Sequence, residues 1–450
     1  MPARRRLARQ ARPGLALAAG FVVLIAVGTG LLTLPLANIA GTWTSPIDAF
    51  FTATSAVCVT GLVVVDTATY WSPFGQAVVL ILIQLGGLGF MTGSTLLLLL
   101  LVGRRTSLAT RIEAQETLGV RDLGSVRPVL RLVVVFTIVA EVVGWIVLGV
   151  AFAVRFGDIG RAAWYGLFHS ISAFNNAGFD LMGGFRSLGS FADDALVIVP
   201  IAVLIILGGL GAAIVGDVVS KRRWDRLALE TKLVLALTAI LLLGGTGAIL
   251  LFEAGNPRTL GSMPAPQAVL NAAFTSVAFR SAGFATVPTA ALTDPSLLTG
   301  GALMFIGGAS GSTAGGIKIT TFAILLAAVV ATIRGRPHAE SFGRRVADGD
   351  VQRALAVALL SIALLFVAIL ALELLTSSVS FLHLVVEAVS AFGTVGLSAD
   401  VTPTLSDPAL LILAITMFVG RLGPLSLVLA FAARSRPVVY RPAVESVRIG

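Results

Sequence analysis

Ala56-Val57-Cys58-Val59-Thr60-Gly61-Leu62 is the first of four stretches written to one pattern, the others being Ala173-Phe174-Asn175-Asn176-Ala177-Gly178-Phe179, Ala278-Phe279-Arg280-Ser281-Ala282-Gly283-Phe284 and Ala391-Phe392-Gly393-Thr394-Val395-Gly396-Leu397. Each has Ala and a bulky apolar residue, three residues that close on Gly, and another bulky apolar residue. Each follows a short apolar run of helical character and precedes a run long enough to cross a bilayer. Four Gly loops in one membrane chain imply a ring of backbone carbonyls about a single axis, which replaces the water of a cation such as K+.

Hydrophobic residues make up 56% of the 450 positions and charged residues only 12%. That balance marks an integral membrane protein. Bilayer-length apolar runs lie near 14–37, 72–102, 129–154, 193–219, 233–253, 295–333, 353–376 and 407–433, so eight spans are expected. The first run, after Arg4-Arg5-Arg6, is about twice the length of a signal-peptide core and lacks a cleavage pattern, so it reads as a retained span.

The net charge of +9 does not point to nucleic acid, because the basic residues are dispersed. Of the 32 Lys and Arg residues, 25 fall before span one, in the even-to-odd linkers, or in the tail. The positive-inside rule therefore predicts that both termini and those linkers are cytoplasmic and that the Gly loops face outward. The linkers at 103–131, 220–232 and 334–353 form a basic face suited to a soluble regulatory partner or to anionic lipid headgroups. The single Cys excludes an intrachain disulfide, and no metal-ligand cluster, P-loop or dinucleotide fingerprint occurs. Nothing in the chain resembles a nucleophile with its base, so an enzyme is not expected.

Four segments, 46–57, 161–174, 266–279 and 380–392, are too short to cross. As half-crossing helices they aim the negative ends of their dipoles at the axis and favour a cation there. Ser45 at the N-cap with Pro46 at N1 makes a sound start for the first. A second glycine landmark follows 24 to 30 residues after each loop glycine: Gly86-Gly87-Leu88-Gly89, Gly208-Gly209-Leu210-Gly211, Gly307-Gly308-Ala309-Ser310-Gly311 and Gly420-Arg421-Leu422-Gly423. Close helix packing and pore lining are both open for this set.

The expected fold is thus all-α, with four pseudo-symmetric repeats of span, short helix and loop, span. Their bounds are 1–102, 103–219, 220–335 and 336–450. The expected ion-binding residues are Cys58, Val59, Thr60 and Gly61; Asn175, Asn176, Ala177 and Gly178; Arg280, Ser281, Ala282 and Gly283; and Gly393, Thr394, Val395 and Gly396. Carbonyls would meet the ion, with Cys58 packed behind the filter and Asn175 and Asn176 either bracing their loop by local hydrogen bonds or offering an amide oxygen at the outer mouth. Arg280 repels a cation if it points inward, so it belongs behind the loop, with Glu387, Glu253 or Glu373 as a neutralising partner.

The sixth span is interrupted by Gly307, Gly308, Ser310, Gly311, Ser312, Thr313, Gly315 and Gly316, ahead of Lys318. Glycines cost a helix roughly 1 kcal/mol each. The segment is read as a mobile gate, and Arg421 as a donor to its freed carbonyls. No other even span is expected to carry so long a break.

These residues resemble the membrane subunit of the Trk/Ktr potassium-uptake family. The match rests on Cys58 to Leu62, Asn175 to Phe179, Phe305 to Lys318 and Phe418 to Pro424, and spans nearly the whole chain. With eight spans and a short tail the chain is more similar to the Ktr type. The resemblance implies K+ uptake in a bacterial plasma membrane by a homodimer on a cytoplasmic ring of nucleotide-binding RCK subunits, with no bound cofactor. Dependence on Na+ is open. Where that family has Ala-Arg-Thr-Ala-Gly-Phe, this chain has Phe279-Arg280-Ser281-Ala282-Gly283-Phe284, a change that bears on packing behind the loop. Two other classes compete: the channel-like subunit of a K+-pumping P-type ATPase, for which ten spans are expected, and a Na+- or H+-coupled carrier, for which Glu141, Glu253 and Glu373 stand near odd spans.

Overall fold

The computed structural model describes residues 12–105 and 127–423. The basic residues at 4–9, 111 and 121, the end of the last apolar run and the tail lie outside the described residues. The chain runs as long helix, short helix, long helix, four times. The first set is α1 (Arg12–Thr33), α2 (Pro46–Val57) and α3 (Pro73–Arg105). The second is α4 (Arg127–Phe156), α5 (Ile159–Phe174) and α6 (Ala195–Lys221). The third is α7 (Leu229–Glu253), α8 (Ala265–Phe279) and a broken pair, α9 (Asp294–Phe305) and α10 (Ile319–Ile333). The fourth is α11 (Asp348–Leu375), α12 (Phe381–Gly393) and α13 (Asp407–Leu422).

Five of the described helices are long and apolar enough to cross a membrane, and their outward faces carry exposed Val, Ile and Leu, as a lipid-facing surface does. The short helices bury their C-terminal halves instead: eight of the twelve residues of α2, from Ala49 to Val57, are buried. Local signals set their starts. Asp158 caps α5 by accepting from the Gly160 and Arg161 amides at 2.9 and 3.2 Å. Ser45 does stand at the N-cap of α2 with Pro46 beside it, yet its side chain makes no cap bond, so the start rests on proline's fixed φ.

Packing between sets runs in one direction. Helix α3 lies against α5, α6 against α8, α9 against α12, and α13 returns to α2. The last contact joins the end of the chain to its beginning and closes the bundle.

Two features depart from the expected all-α chain of straight spans. A hairpin pairs Glu340–Ser341 with Arg344–Arg345 through Phe342 and Gly343, both at positive φ, as a two-residue turn requires. Its Phe342 ring meets Trp224 edge-on at 6.0 Å. Helix α6 is also interrupted, at Gly211 (φ 76°, ψ 161°), so the third set is not alone in having a break, though its break is the longest.

Candidate functional site

Three of the four loops end their short helices in the same way. After α2, Val59 N donates to Ala56 O and Thr60 N to Ser55 O; after α5, Asn176 N donates to Ala173 O and Ala177 N to Ser172 O; after α12, Thr394 N donates to Ala391 O and Val395 N to Ser390 O. This is the paired C-cap in which one residue turns left-handed, here Val59, Asn176 and Thr394 at φ 56°, 60° and 47°. Two residues on, Gly61, Gly178, Gly283 and Gly396 all have positive φ. The cap draws the loop amides back into the helix ends. The carbonyls of Val59, Thr60 and Gly61, and their counterparts, accept no hydrogen bond among the described residues. Gly393, expected in the fourth loop, is the last residue of α12.

The loops form a closed ring. A Cβ placed on Gly178 would lie 2.8 Å from Ala282 O, and one on Gly283 would lie 2.6 Å from Val395 O. In the same sense, one on Gly396 would strike Thr60 O and one on Gly61 would strike Ala177 O. Each glycine is therefore required twice, by its φ and by the neighbouring loop's backbone. All four line one cavity of about 760 Å³, which also takes in Asp66, Asp180, Asp400, Arg186 and Arg258.

The second glycine landmark is a close-packing device in three sets. Gly86 lies against Val57 O, Gly208 against Phe174 O and Gly420 against Phe392 O, carbonyls in the last turn of their own short helices. In the third set that place is taken by Gly300, where a Cβ would be 2.6 Å from Phe279 Cζ. The bulky Phe279 is thus accommodated by a glycine on α9.

Beneath the ring lies the 306–318 segment. Its ends are tied together, Gly307 N to Ile317 O at 2.8 Å and Ile319 N to Gly308 O at 3.0 Å. Its middle is held to α6 by Ala309 N to Gly209 O (2.9 Å) and Thr313 N to Gly208 O (3.2 Å). It reaches the loops through Thr313 Oγ1, which donates to Asn176 Oδ1 at 3.1 Å and to Phe174 O at 3.3 Å. Gly315 has no room for a Cβ beside Thr394 Oγ1. Of the other residues expected here, Ser312 is buried and donates through Oγ to Ala309 O at 2.7 Å, Ser310 and Gly311 are partly exposed, and Gly316 is at φ 67°.

Arg421 is 1% exposed and donates to Thr313 O and, at 3.5 Å, to Gly86 O. Lys318 donates to Ala314 O. Both cations sit over the Phe90 ring, at 4.5 and 4.9 Å from its centroid. Phe90 was not found by sequence reasoning. Its signal is slight, a lone aromatic directly after Gly89.

Arg280 has no carboxylate partner among the described residues, against the sequence expectation. It donates to Gly307 O at 3.1 Å, behind its loop and toward the 306–318 segment. The reason is that the proposed carboxylates are taken or distant. Glu387 accepts from Ser398 Oγ, Ala399 N and Thr402 Oγ1. Glu253 accepts from Thr259, Asn256 and Thr293. Glu373 is exposed.

Asn175 and Asn176 do not merely brace their own loop. Asn175 Nδ2 donates to Gln84 Oε1 and Glu141 Oε1, both at 2.9 Å, as well as to Ile171 O. Glu141 also accepts from Gln84 Nε2 at 3.0 Å. Removing it takes the acceptor from the half-buried Gln84 Nε2, at about 1–3 kcal/mol, and leaves Asn175 Nδ2 with Gln84 Oε1 and Ile171 O only. Melting temperatures in detergent should therefore fall in the order parent, Glu141→Gln, Glu141→Ala; an unshifted Glu141→Ala would show that this network holds nothing together. Cys58 is a free, fully buried thiol in the apolar core. No cluster of three or more metal-ligating side chains occurs among the described residues.

Comparison with known proteins bears on what this arrangement is for. The sequence profile of the family TrkH, described as a cation transport protein, matches residues 13–437. The chain is 36% identical to the potassium/sodium uptake protein NtpJ of Enterococcus hirae over 99% of each sequence. It is 38% identical to the Ktr system potassium uptake protein B of Bacillus subtilis over 96% of each, and 40% identical to its namesake in Vibrio alginolyticus over 93% and 91%. The crystal structure of the potassium transporter TrkH from Vibrio parahaemolyticus superposes with a TM-score of 0.69 at 19% identity, over 93% of this chain and 84% of that one, a likeness of fold.

Proposed function

The chain belongs to the TrkH family of cation transport proteins, and from that membership we propose that it takes up K+ across the bacterial plasma membrane. The observation that carries the reading is the closed ring of four glycine loops beneath one outer cavity. Rings of backbone carbonyls hold a dehydrated cation and repel an anion. In this reading the chain crosses the bilayer eight times in four pseudo-symmetric repeats, with both termini cytoplasmic. Residues 58–61, 175–178, 280–283 and 393–396 form the filter, and the 306–318 segment with Arg421 forms the gate. The Ktr relatives are named as members of a system, which supports a cytoplasmic regulatory subunit of the RCK type and a homodimer of this chain.

Initial rates of K+ and Na+ uptake into liposomes, with and without Na+ and proton gradients, test the proposal. Folded protein that passes no K+ would sink it. Coupling to a second ion is the other reading, favoured by the buried Glu141, which has no basic partner among the described residues. Uptake that stops when both gradients are removed would support it.

The outer cavity adds a pH expectation. Burial, opposed by the Met182 and Gly183 amides and aided by nearby Asp66, pushes the Asp180 carboxyl, on the loop between α5 and α6, up to about 6. A raised carboxylate pKa means that the charge is lost as pH falls through about 6 rather than through the usual range near 4. One negative charge is then missing from the mouth. The KM for K+ should rise about two- to fivefold between pH 7 and pH 5. In Asp180→Asn it should already be raised and should stay flat; an unchanged pH profile in that variant would assign the effect to another group.

A further inference from the structure

The four loops are not equally held. In loop one the Ser55 hydroxyl accepts from Gly61 N at 3.0 Å, and in loop four the Ser390 hydroxyl accepts from Gly396 N at 3.1 Å. In loop two the matching Ser172 donates to Phe179 O at 2.7 Å. All three serines stand six residues before the loop glycine. The position six before Gly283 is Val277, which has no hydroxyl to offer.

The backbone of the third loop differs accordingly. Ala282 N donates to Ala278 O, one residue short of the carbonyl used in the other three, and Ser281 N also donates to Ala278 O. Ser281 takes φ 137° in place of the 47–60° of its counterparts, and its buried hydroxyl has no partner. The paired C-cap is missing here. Gly283 N has no acceptor among the described residues. A cavity of about 20 Å³, the space of one water, adjoins Val277, Arg280, Asn176 and Gly308 behind the loop. The third quarter of the ring thus lacks both the hydroxyl brace and the paired cap, its tie from the side chain of Arg280 to Gly307 O lying ahead of the Ser281 to Gly283 turn, and it has room for one water behind it.

We propose that Val277 is a specificity-determining residue: by leaving the third loop unbraced, it lets that quarter of the carbonyl ring follow a smaller ion inward and so limits the preference for K+ over Na+. The inference rests on the filter reading above. Discrimination by a carbonyl ring depends on how far its oxygens hold their number and spacing around each ion. Loops one and four are pinned at the glycine amide itself. Loop three is not, and the weakest quarter sets what the smaller ion can find.

Val277→Thr keeps the shape of valine and adds the hydroxyl. One neutral hydrogen bond is worth about a fivefold change in a ratio. Purified Val277→Thr should raise the K+/Na+ ratio of initial uptake rates in liposomes about fivefold, mainly through a higher KM for Na+. Val277→Ser should act in the same direction. Val277→Ala, which removes bulk without supplying a hydroxyl, should not raise the ratio, and Ser55→Ala should lower it. A ratio unmoved by both hydroxyl variants while Ser55→Ala lowers it would overturn the proposal, as would an equal rise in Val277→Ala. A parent protein that carries no K+ at all would instead overturn the ion-conduction reading, and this inference with it.

Discussion

Arg421→Ala is expected to raise K+ flux about tenfold or more in protein freed of any regulatory partner. The side chain is buried and makes its contacts with carbonyls, Thr313 O in the 306–318 segment and Gly86 O on α3. It therefore ties the segment to a helix that does not itself bend there. A charged donor contributes roughly 1.5–3 kcal/mol to such a contact. Losing it shifts a two-position segment by at least an order of magnitude. What remains across the middle of the segment, the Thr313 hydroxyl on Asn176 and Phe174 O and the Ala309 and Thr313 amides on the Gly209 and Gly208 carbonyls of α6, is neutral and weaker, and the Arg280 guanidinium holds only the Gly307 end. Deleting 309–314 removes those bonds as well and should give larger flux. Arg421→Lys keeps the charge over Phe90 but loses the forked reach, and should fall between parent and Arg421→Ala. Flux assays in liposomes, paired with melting curves to establish that each variant is folded, decide the matter. If folded Arg421→Ala and the deletion conduct no faster than the parent, the segment is scaffold.

Gly61→Ser should collapse discrimination. At φ 96° a side chain costs about 1–2 kcal/mol in backbone strain alone, and here its Cβ also strikes Ala177 O and Gly178. Something in the ring must shift, and the backbone that shifts is what the proposed filter would set around the ion. The K+/Na+ uptake ratio should fall by roughly tenfold. Because the contacts run from each loop to the next, Gly178→Ser, Gly283→Ser and Gly396→Ser should lower the ratio as well. A folded Gly61→Ser protein with the parent's ratio would remove this loop from the filter.

Much of the architecture is legible in the sequence because its causes are local. Apolar runs announce the long helices, and α2 spans 46–57 as its composition and Pro46 predict. The Gly-rich break is visible at 307–317, against 306–318 in the structure, because glycines at that density cannot hold a helix in lipid. What cannot be read is which groups meet across the chain. The partner of Arg280, expected by charge, is a carbonyl, Gly307 O, while Glu387 and Glu253 are held by the loops they support and Glu373 is exposed. The role of Asn175 depends on Gln84, 91 residues away, and on Glu141. Ser55, Ser172 and Ser390 share a spacing that sequence alone leaves mute. It acquires meaning only once the helices are known to end three or four residues before the loop glycine, so that each serine reaches the backbone at or just after it.

The contact of α13 with α2 has a consequence for how such a protein can vary. A fourfold assembly of identical subunits repeats every substitution four times, so a tolerable loss in one quarter becomes an intolerable one in the whole. Four copies of Arg280 would bring four guanidinium groups close around one axis, at a repulsion that a low-dielectric interior magnifies. Here a single polypeptide supplies every quarter, and an asymmetric residue appears once. One gene can therefore alter one face of the axis at a time, testing an arginine or a valine in a single position while three unaltered copies preserve the rest.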